Sequence, residues 1–243
     1  MRLQNETITY EADGITLRSQ LFFERATQAR AGILVFPEAF GLGDHALSRA
    51  RRLATLGYVA LACDIHGGGR FIGDLQEAIG AGALGPLYAD TSRMRARGLG
   101  GLRALQQRKE VDPHRIASIG FCFGGTMSLE LARSGADIKA VVGFHSGLKT
   151  TAPKTDAKSI RGRVLVCIGA DDPFIPLAER EAFEAEMREA GVDWQMHLYG
   201  GTVHSFTNVE ADKRNLPQAM RYSAEADARS WAAMQELFSE TLK

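Results

Sequence analysis

Apolar runs of strand length alternate with amphipathic helical patterns along most of the chain, and this alternation restricts the possible folds more than any other feature. Most of the runs are apolar at consecutive positions, which is typical of strands buried on both faces of a parallel sheet. The predicted strands are 32–36, 58–63, 115–120, 140–144, 163–169 and 194–199, and the predicted helices are 47–57, 94–108, 124–133, 177–190 and 217–238. We therefore predict an α/β fold with a mostly parallel, doubly wound sheet.

Two β-rich segments, 7–10 and 15–23, precede this pattern and meet at the dipeptide Asp13-Gly14. An Asp-Gly pair between such segments is typical of a tight hairpin, so we expect an antiparallel pair at the N-terminal edge of the sheet. No repeat, low-complexity tract or linker divides the sequence, and its 243 residues suit one large domain. We predict a single domain over 1–243.

Composition argues against several kinds of partner. Lys and Arg together number 29, as do Asp and Glu, so the net charge of zero favours neither nucleic acid nor an anionic membrane. The polar start does not resemble a signal peptide, and three cysteines are too few for a disulfide scaffold. No phosphate loop, dinucleotide fingerprint or metal-ligand cluster occurs. We expect a cytoplasmic protein that acts on a small molecule without a cofactor; the sequence does not indicate an oligomeric state.

The segment 120–124, Gly-Phe-Cys-Phe-Gly, lies where a predicted strand gives way to a helix. Glycines on either side of the central residue suit a sharp strand–turn–helix elbow, because side chains there would collide with backbone. The turn exposes Cys122 at a helix N-terminus, which stabilises a thiolate. Cys122 is the candidate nucleophile, and a buried, inert cysteine is the alternative. Cys63 and Cys167 lie inside apolar strands and are interpreted as core residues.

In a hydrolase with such an elbow, an acid and then a histidine follow the nucleophile along the chain. Asp171 and Asp172 come directly after the strand 163–169, at the strand end where open parallel sheets place their sites. We favour Asp172, which fits a G-x-x-D-x-x-[IV]-P layout, and Asp171 is the alternative. His204 follows the strand 194–199 in a loop with two glycines. The other histidines are interpreted as structural: His45, His66, His114, His145 and His197.

These residues suggest a division of labour. His204 would take the thiol proton, and the acid would hold the imidazole in the useful tautomer. The backbone N–H of Phe123 would stabilise the oxyanion, with a second donor from residues 37–40. Residues 67–90 form a glycine-rich, irregular insertion, which is typical of a lid or binding loop; a loose surface loop is the alternative.

Four segments together resemble the dienelactone hydrolase family: 37–41, the cysteine elbow, GADDPFIP around Asp172, and GGTVHSF around His204. The resemblance extends over about 15–238 and implies an α/β-hydrolase fold with a Cys-His-Asp triad. Such a triad cleaves activated esters or lactones through a thioester intermediate. The resemblance also implies that Glu38 meets and activates the thiol and that Ala39 N–H is the second oxyanion donor.

One position departs from the family pattern. The arginine that grips the substrate carboxylate, four residues after the histidine, is Asn208 here. Dienelactone itself is therefore not the expected substrate, and the aromatic residues near the proposed site suggest a more hydrophobic ester. These residues are Phe40, Phe123, Phe174 and Phe206.

Two other functions stay open. The same triad would also suit phosphotriesters or thioesters, because the site stabilises any developing oxyanion. A redox-sensing or ligand-binding module on the same scaffold is an alternative of another class, in which Cys122 oxidises reversibly without hydrolysis. The oriented base at His204 argues against that module, because a sensor has no use for one.

Overall fold

The computed structural model describes residues 3–80 and 83–243, which form an eight-stranded sheet with helices on both faces. The strands are β1 (Leu3–Ala12), β2 (Ile15–Glu24), β3 (Arg30–Phe36), β4 (Val59–Ala62), β5 (Val111–Phe121), β6 (Ala140–Phe144), β7 (Arg163–Gly169) and β8 (Trp194–Tyr199). The helices are α1 (Asp44–Thr55), α2 (Leu75–Ile79), α3 (Gly85–Ala89), α4 (Thr91–Gln106), α5 (Phe123–Arg133), α6 (Pro153–Asp156), α7 (Leu177–Ala190) and α8 (Ala224–Thr241). Two 3₁₀ turns span Ala157–Ser159 and Ala211–Arg214.

The strands follow the order β1-β2-β4-β3-β5-β6-β7-β8 across the sheet. β1 pairs antiparallel with β2, and β2 antiparallel with β4, whereas every later pair is parallel. Asp13 and Gly14 turn the hairpin with φ of 52° and 69°, the left-handed backbone that a tight two-residue hairpin needs. The predicted parallel, doubly wound sheet with an antiparallel N-terminal edge is confirmed.

The apolar strands supply two separate cores, one on each face of the sheet. In β3, Leu34 packs into one cluster, while its neighbours Ile33 and Val35 pack into the other. All three side chains are buried, as expected when successive residues of a strand point to opposite faces. Burial on both faces is why these strands are apolar at nearly every position.

The last helix begins later than the sequence predicts. The expected start at residue 217 is wrong, because α8 begins at Ala224 behind the N-cap Ser223, whose hydroxyl accepts from the Ala226 N–H. The preceding segment instead forms a turn that pairs with the backbone of His204. The His204 N–H donates to the Ala219 carbonyl, and the Arg221 N–H donates to the His204 carbonyl.

The insertion 67–90 contains α2 and α3, and its residues 81 and 82 lie outside the described part of the chain. Ile72, Leu84 and Leu87 from this segment are buried in the core. Its described part is therefore anchored, and the interpretation as a loose surface loop is wrong for that part. Nowhere in 3–80 or 83–243 is there a helix both long and apolar enough to cross a membrane.

Candidate active site

The elbow between β5 and α5 places Cys122 at the carboxyl edge of the sheet. Cys122 has φ 53° and ψ −122°, a strained backbone for a residue with a side chain. A Cβ on Gly120 would lie 1.9 Å from the Gly124 carbonyl oxygen, and one on Gly124 would lie 2.3 Å from the Phe36 oxygen. Glycine is thus required on both sides of the turn, as the sequence pattern predicts.

The three thiols occupy different environments. Cys122 is partly exposed, whereas Cys63 and Cys167 are buried within the sheet. Burial raises the pKa of both buried thiols, that of Cys167 to about 12, so neither forms a thiolate readily. Cys122 is therefore the thiol that is available for chemistry.

His204 and Asp172 meet beside the elbow. Nδ1 of His204 donates to Oδ2 of Asp172 at 2.7 Å, and Oδ1 of Asp172 accepts from the Phe174 N–H at 2.8 Å. Both side chains are buried, whereas Asp171 is exposed. The structure thus brings Asp172, not its neighbour Asp171, to the imidazole.

The surroundings of His204 favour its protonated form. Burial by itself would lower the pKa of the imidazole, but the charge of the Cys122 thiolate and the hydrogen bonds to Asp172 and Cys122 raise it to about 10. An imidazole with this pKa accepts a proton from a neighbouring thiol. The arrangement therefore supports a thiolate–imidazolium pair.

Glu38 is buried and bonded to three side chains, and the sequence analysis anticipated only part of this arrangement. Oε1 accepts from the Ser205 hydroxyl at 2.8 Å, and Oε2 accepts from Asn208 Nδ2 at 2.6 Å and Arg214 Nη2 at 3.1 Å. Within the described residues no hydrogen bond joins Glu38 to Cys122. Asn208, at the position where the resemblance implied an arginine, is one of these partners, and the positive charge comes from Arg214 in the 3₁₀ turn.

The Glu38 carboxylate is ionised despite its burial. Burial raises the pKa of such a group, but the neighbouring His45 imidazole and the Arg214 guanidinium outweigh it and hold the pKa at about 2. Burial lowers the pKa of His45 itself to about 4, so the lasting positive charge beside Glu38 is that of Arg214. The Arg214 guanidinium also lies over the Phe40 ring, 4.1 Å from its centroid. No pattern in the sequence pointed to His45 or Arg214.

The segment after β3 carries the predicted oxyanion donor Ala39 and is held by its carbonyl groups. His66 Nε2 lies 2.7 Å from the Ala39 carbonyl oxygen, and the Gly41 N–H donates to the Glu38 carbonyl at 3.0 Å. His66 itself is held by Asp64, whose carboxylate accepts a hydrogen bond from the backbone N–H of His66 at 3.0 Å. The sequence interpretation took His66 as structural, and it fixes the peptide next to Glu38.

The other predicted donor, the Phe123 N–H, belongs to the first turn of α5, where N–H groups have no partner inside the helix. Because Phe36 pairs with Gly120 in the sheet, the segments that follow these two residues leave the same edge side by side. Ala39 and Phe123 are thereby placed on neighbouring segments around Cys122.

Aromatic side chains border the candidate site. The Phe174 ring is half-exposed and stands edge-on to the His204 ring, with 5.2 Å between the ring centroids. The Tyr88 ring stands edge-on to the Phe123 ring, with 5.1 Å between the centroids. Phe206 is fully buried and belongs to the core. A cavity of about 930 Å³, bordered by Glu38, opens between Phe71 and the segment that follows His204. In the described part of the chain no group of three His, Cys, Asp or Glu side chains could hold a metal.

The chain is similar to known hydrolases over nearly its whole length. A family model described as the dienelactone hydrolase family matches residues 20–242. A putative carboxymethylenebutenolidase from Synechocystis sp. is 31% identical over 225 residues, which cover 87% of this chain and 86% of the relative. The crystal structure of a dienelactone hydrolase-like promiscuous phosphotriesterase from metagenomic libraries has a TM-score of 0.94 and 40% identity, with all of both chains covered. A putative dienelactone hydrolase from Klebsiella pneumoniae, with a TM-score of 0.84 and 22% identity over 98% of this chain and 99% of its own, shares the fold.

Proposed function

The chain belongs to the dienelactone hydrolase family and is a hydrolase of esters or lactones, and from this premise we propose that Cys122 forms a thioester with the acyl group of its substrate. Cys122, His204 and Asp172 form the catalytic triad of this proposal. The main support for the proposal is the buried hydrogen bond of 2.7 Å between His204 Nδ1 and Asp172 Oδ2, because it leaves Nε2 of the imidazole to face the thiol.

The reaction proceeds in two halves. The Cys122 thiolate attacks the carbonyl carbon, and the N–H groups of Phe123 and Ala39 stabilise the oxyanion. The protonated His204 gives its Nε2 proton to the departing alcohol oxygen as the C–O bond breaks, which leaves the thioester. In the second half His204 takes a proton from water, the water oxygen attacks the thioester, and the carboxylic acid and the thiolate are released.

We assign Glu38 the role of activating the resting thiol. Its carboxylate is buried, and its partners hold its pKa at about 2, so it is a poor proton acceptor in this position and could act on the thiol, as a charge that helps to pass its proton to His204, only away from them. In the structure both of its oxygens are bonded to Ser205, Asn208 and Arg214. To reach Cys122 the carboxylate must leave these partners, so the role includes a movement between two positions.

The proposed substrate is a small, hydrophobic, activated ester or lactone. Arg214 pairs with Glu38, and Lys213 at the cavity wall pairs with Glu210, so neither cation is set aside for a substrate carboxylate. The half-exposed rings of Phe174 and Tyr88 supply apolar contact area instead. In this proposal the chain acts as one cytoplasmic domain and needs no cofactor.

The test is the hydrolysis of 4-nitrophenyl acetate by three single variants. Cys122→Ala should reduce kcat/KM by about 10³-fold or more, because both halves of the reaction pass through its sulfur. Cys63→Ala and Cys167→Ala are matched controls, since both thiols are buried in the sheet, and they should keep their activity. Full activity in Cys122→Ala would refute the proposal.

Phosphotriester cleavage is the second candidate, and one observation favours it. The solved structure that is 40% identical over the whole chain is a dienelactone hydrolase-like promiscuous phosphotriesterase. The same thiolate and oxyanion donors would suit a phosphoryl oxygen. Rates on an aryl ester and on an aryl phosphotriester with the same leaving group, measured side by side, decide between the two.

A further inference from the structure

His145 lies between the elbow and the loop that carries His204. It directly follows β6, its side chain is completely buried, and its φ of 42° is unfavourable for a residue with a side chain. A buried residue keeps such a backbone only where its surroundings hold it firmly, and residues of this kind cluster at functional sites. No pattern in the sequence distinguishes this histidine from the others.

Both ring nitrogens of His145 are bonded, and they reach two different segments. Nδ1 accepts from the Cys122 N–H at 3.1 Å, and the same N–H also donates to the Phe144 carbonyl at 3.0 Å. Nε2 lies 2.8 Å from the hydroxyl oxygen of Thr207. Because Nδ1 is an acceptor, the neutral ring carries its proton on Nε2 and donates it to Thr207. One imidazole thus joins the peptide of Cys122 to the loop that carries His204.

The ring of His145 also packs directly on that of His204, with centroids 5.1 Å apart and planes at 68°. Burial lowers the pKa of His145 well below its usual value, and the charge of His204 lowers it further. The other titratable groups that face it are Glu38, which opposes this shift, and His45 and Arg214, which add to it. His145 is therefore neutral and keeps its acceptor nitrogen towards Cys122.

We propose that His145 is a positioning residue that fixes the Cys122 thiol and the His204 imidazole relative to each other through its two ring nitrogens. The proposal rests on the proposed function, which makes these two groups the nucleophile and the base. Without His145 the Cys122 N–H keeps its hydrogen bond to the Phe144 carbonyl, but the link from the elbow to Thr207 is lost, so the thiol and the imidazole can shift relative to each other. A displacement of about 1 Å at such a site costs about 100-fold in rate.

The experiment compares variants that remove one or both bonds. His145→Leu removes both, and Thr207→Val removes one without touching the strained backbone. His145→Asn keeps an acceptor near the Nδ1 position and tolerates a positive φ. Thr207→Ser keeps the hydroxyl. His114→Leu, at an exposed histidine, is the matched control.

Two readouts are measured for each variant: kcat and KM for an aryl ester, and the pH dependence of Cys122 alkylation by iodoacetamide. His145→Leu should lower kcat by about 100-fold with KM little changed, and should shift the alkylation profile to higher pH because the thiolate loses its imidazolium partner. Thr207→Val should give a smaller change in the same direction. His145→Asn and Thr207→Ser should recover most of the respective losses, and His114→Leu should show none.

A folded His145→Leu protein with the wild-type alkylation profile and kcat would overturn the proposal. Should His145→Leu not fold, a wild-type profile in Thr207→Val would overturn it equally. Alkylation requires no substrate, so its result does not depend on the reaction that the enzyme catalyses. Loss of the proposed function would appear separately, as unchanged ester hydrolysis in Cys122→Ala.

Discussion

Two adjacent carboxylates show how far the surroundings of single residues decide their roles. Asp172 is buried and bonded to His204, whereas Asp171 is exposed. We expect Asp172→Asn to lower kcat by about 10³- to 10⁴-fold, because an amide cannot hold the imidazole in the same tautomer. Asp171→Asn is the matched control and should stay close to wild type. Equal losses in the two variants, measured on one aryl ester, would contradict this assignment.

The same histidine should make stability depend on pH. Burial lowers the pKa of His204, but the charge of the Cys122 thiolate and the hydrogen bond to Asp172 outweigh it and raise this pKa from 6.5 to about 10. A raised folded pKa stabilises the protonated form, so this contribution is complete below 6.5 and is lost as the pH rises through about 10. We expect the free energy of unfolding to fall over this range in the wild type and less in His204→Gln. Urea denaturation at several pH values measures it, and parallel curves would show the expectation to be wrong.

Among the elements of the fold, the elbow is the most sensitive to substitution, because its two glycines leave no room for a side chain. A Cβ on Gly120 or Gly124 would lie within 2.3 Å of backbone oxygens, whereas one on Gly200 would meet nothing within 4 Å. We expect either elbow substitution to alanine to cost about 3 kcal/mol or more, and Gly200→Ala to stay within about 0.5 kcal/mol. Denaturant unfolding compares the three variants. A stable, active Gly124→Ala protein would show that the close approach is relieved at little cost.

The strands could be predicted because their signal is local. β6 and β7 begin and end where the apolar runs do, since burial on both faces leaves a mark in the sequence itself. β8, at the partly exposed edge of the sheet, is marked instead by the alternation of its residues. The start of α8 could not be predicted in this way. Pro217 looked like a first helical residue, a position that proline favours, but the backbone of its segment pairs with His204 instead.

The residues of the candidate site fall into the same two groups, those with a local sequence pattern and those without one. Cys122, Asp172 and His204 each sit in a recognisable loop after a strand, so local pattern and chain order identified them as candidates. His145 and Arg214 carry no such pattern. His145 meets the elbow only because β6 lies beside β5, and Arg214 meets Glu38 only because a 3₁₀ turn folds back over it. Contacts of this kind exist only in the folded chain.

At the scale of the whole molecule, a buried charge network joins the helices on one face. Arg133 in α5 bonds Glu130 of the same helix and Glu186 of α7, at 3.1 and 2.6 Å, with the arginine and Glu130 side chains fully buried. Arg95 of α4 also bonds Glu130, at 2.7 Å. The network ties three helices to one another behind the elbow.

Removing one member of this network should destabilise the whole chain. Arg133→Leu leaves the buried Glu186 carboxylate without its guanidinium partner and Glu130 with Arg95 alone, which should cost about 3–5 kcal/mol. Arg188→Leu breaks an exposed pair with Glu184 and should cost at most about 0.5 kcal/mol. Urea denaturation of the two variants provides the comparison. Equal stabilities would mean that the buried network contributes no more than a surface ion pair.

The measurement that bears most directly on the proposed mechanism is the mass of the enzyme during turnover. The wild-type chain, mixed with an activated aryl ester and quenched in acid within milliseconds, should gain the mass of one acyl group. Proteolysis should place that group on the peptide containing Cys122, and neutral hydroxylamine should remove it, as expected for a thioester. Cys122→Ala should gain nothing. An unmodified Cys122 throughout turnover, or an acyl group on another residue, would contradict covalent catalysis by this thiol.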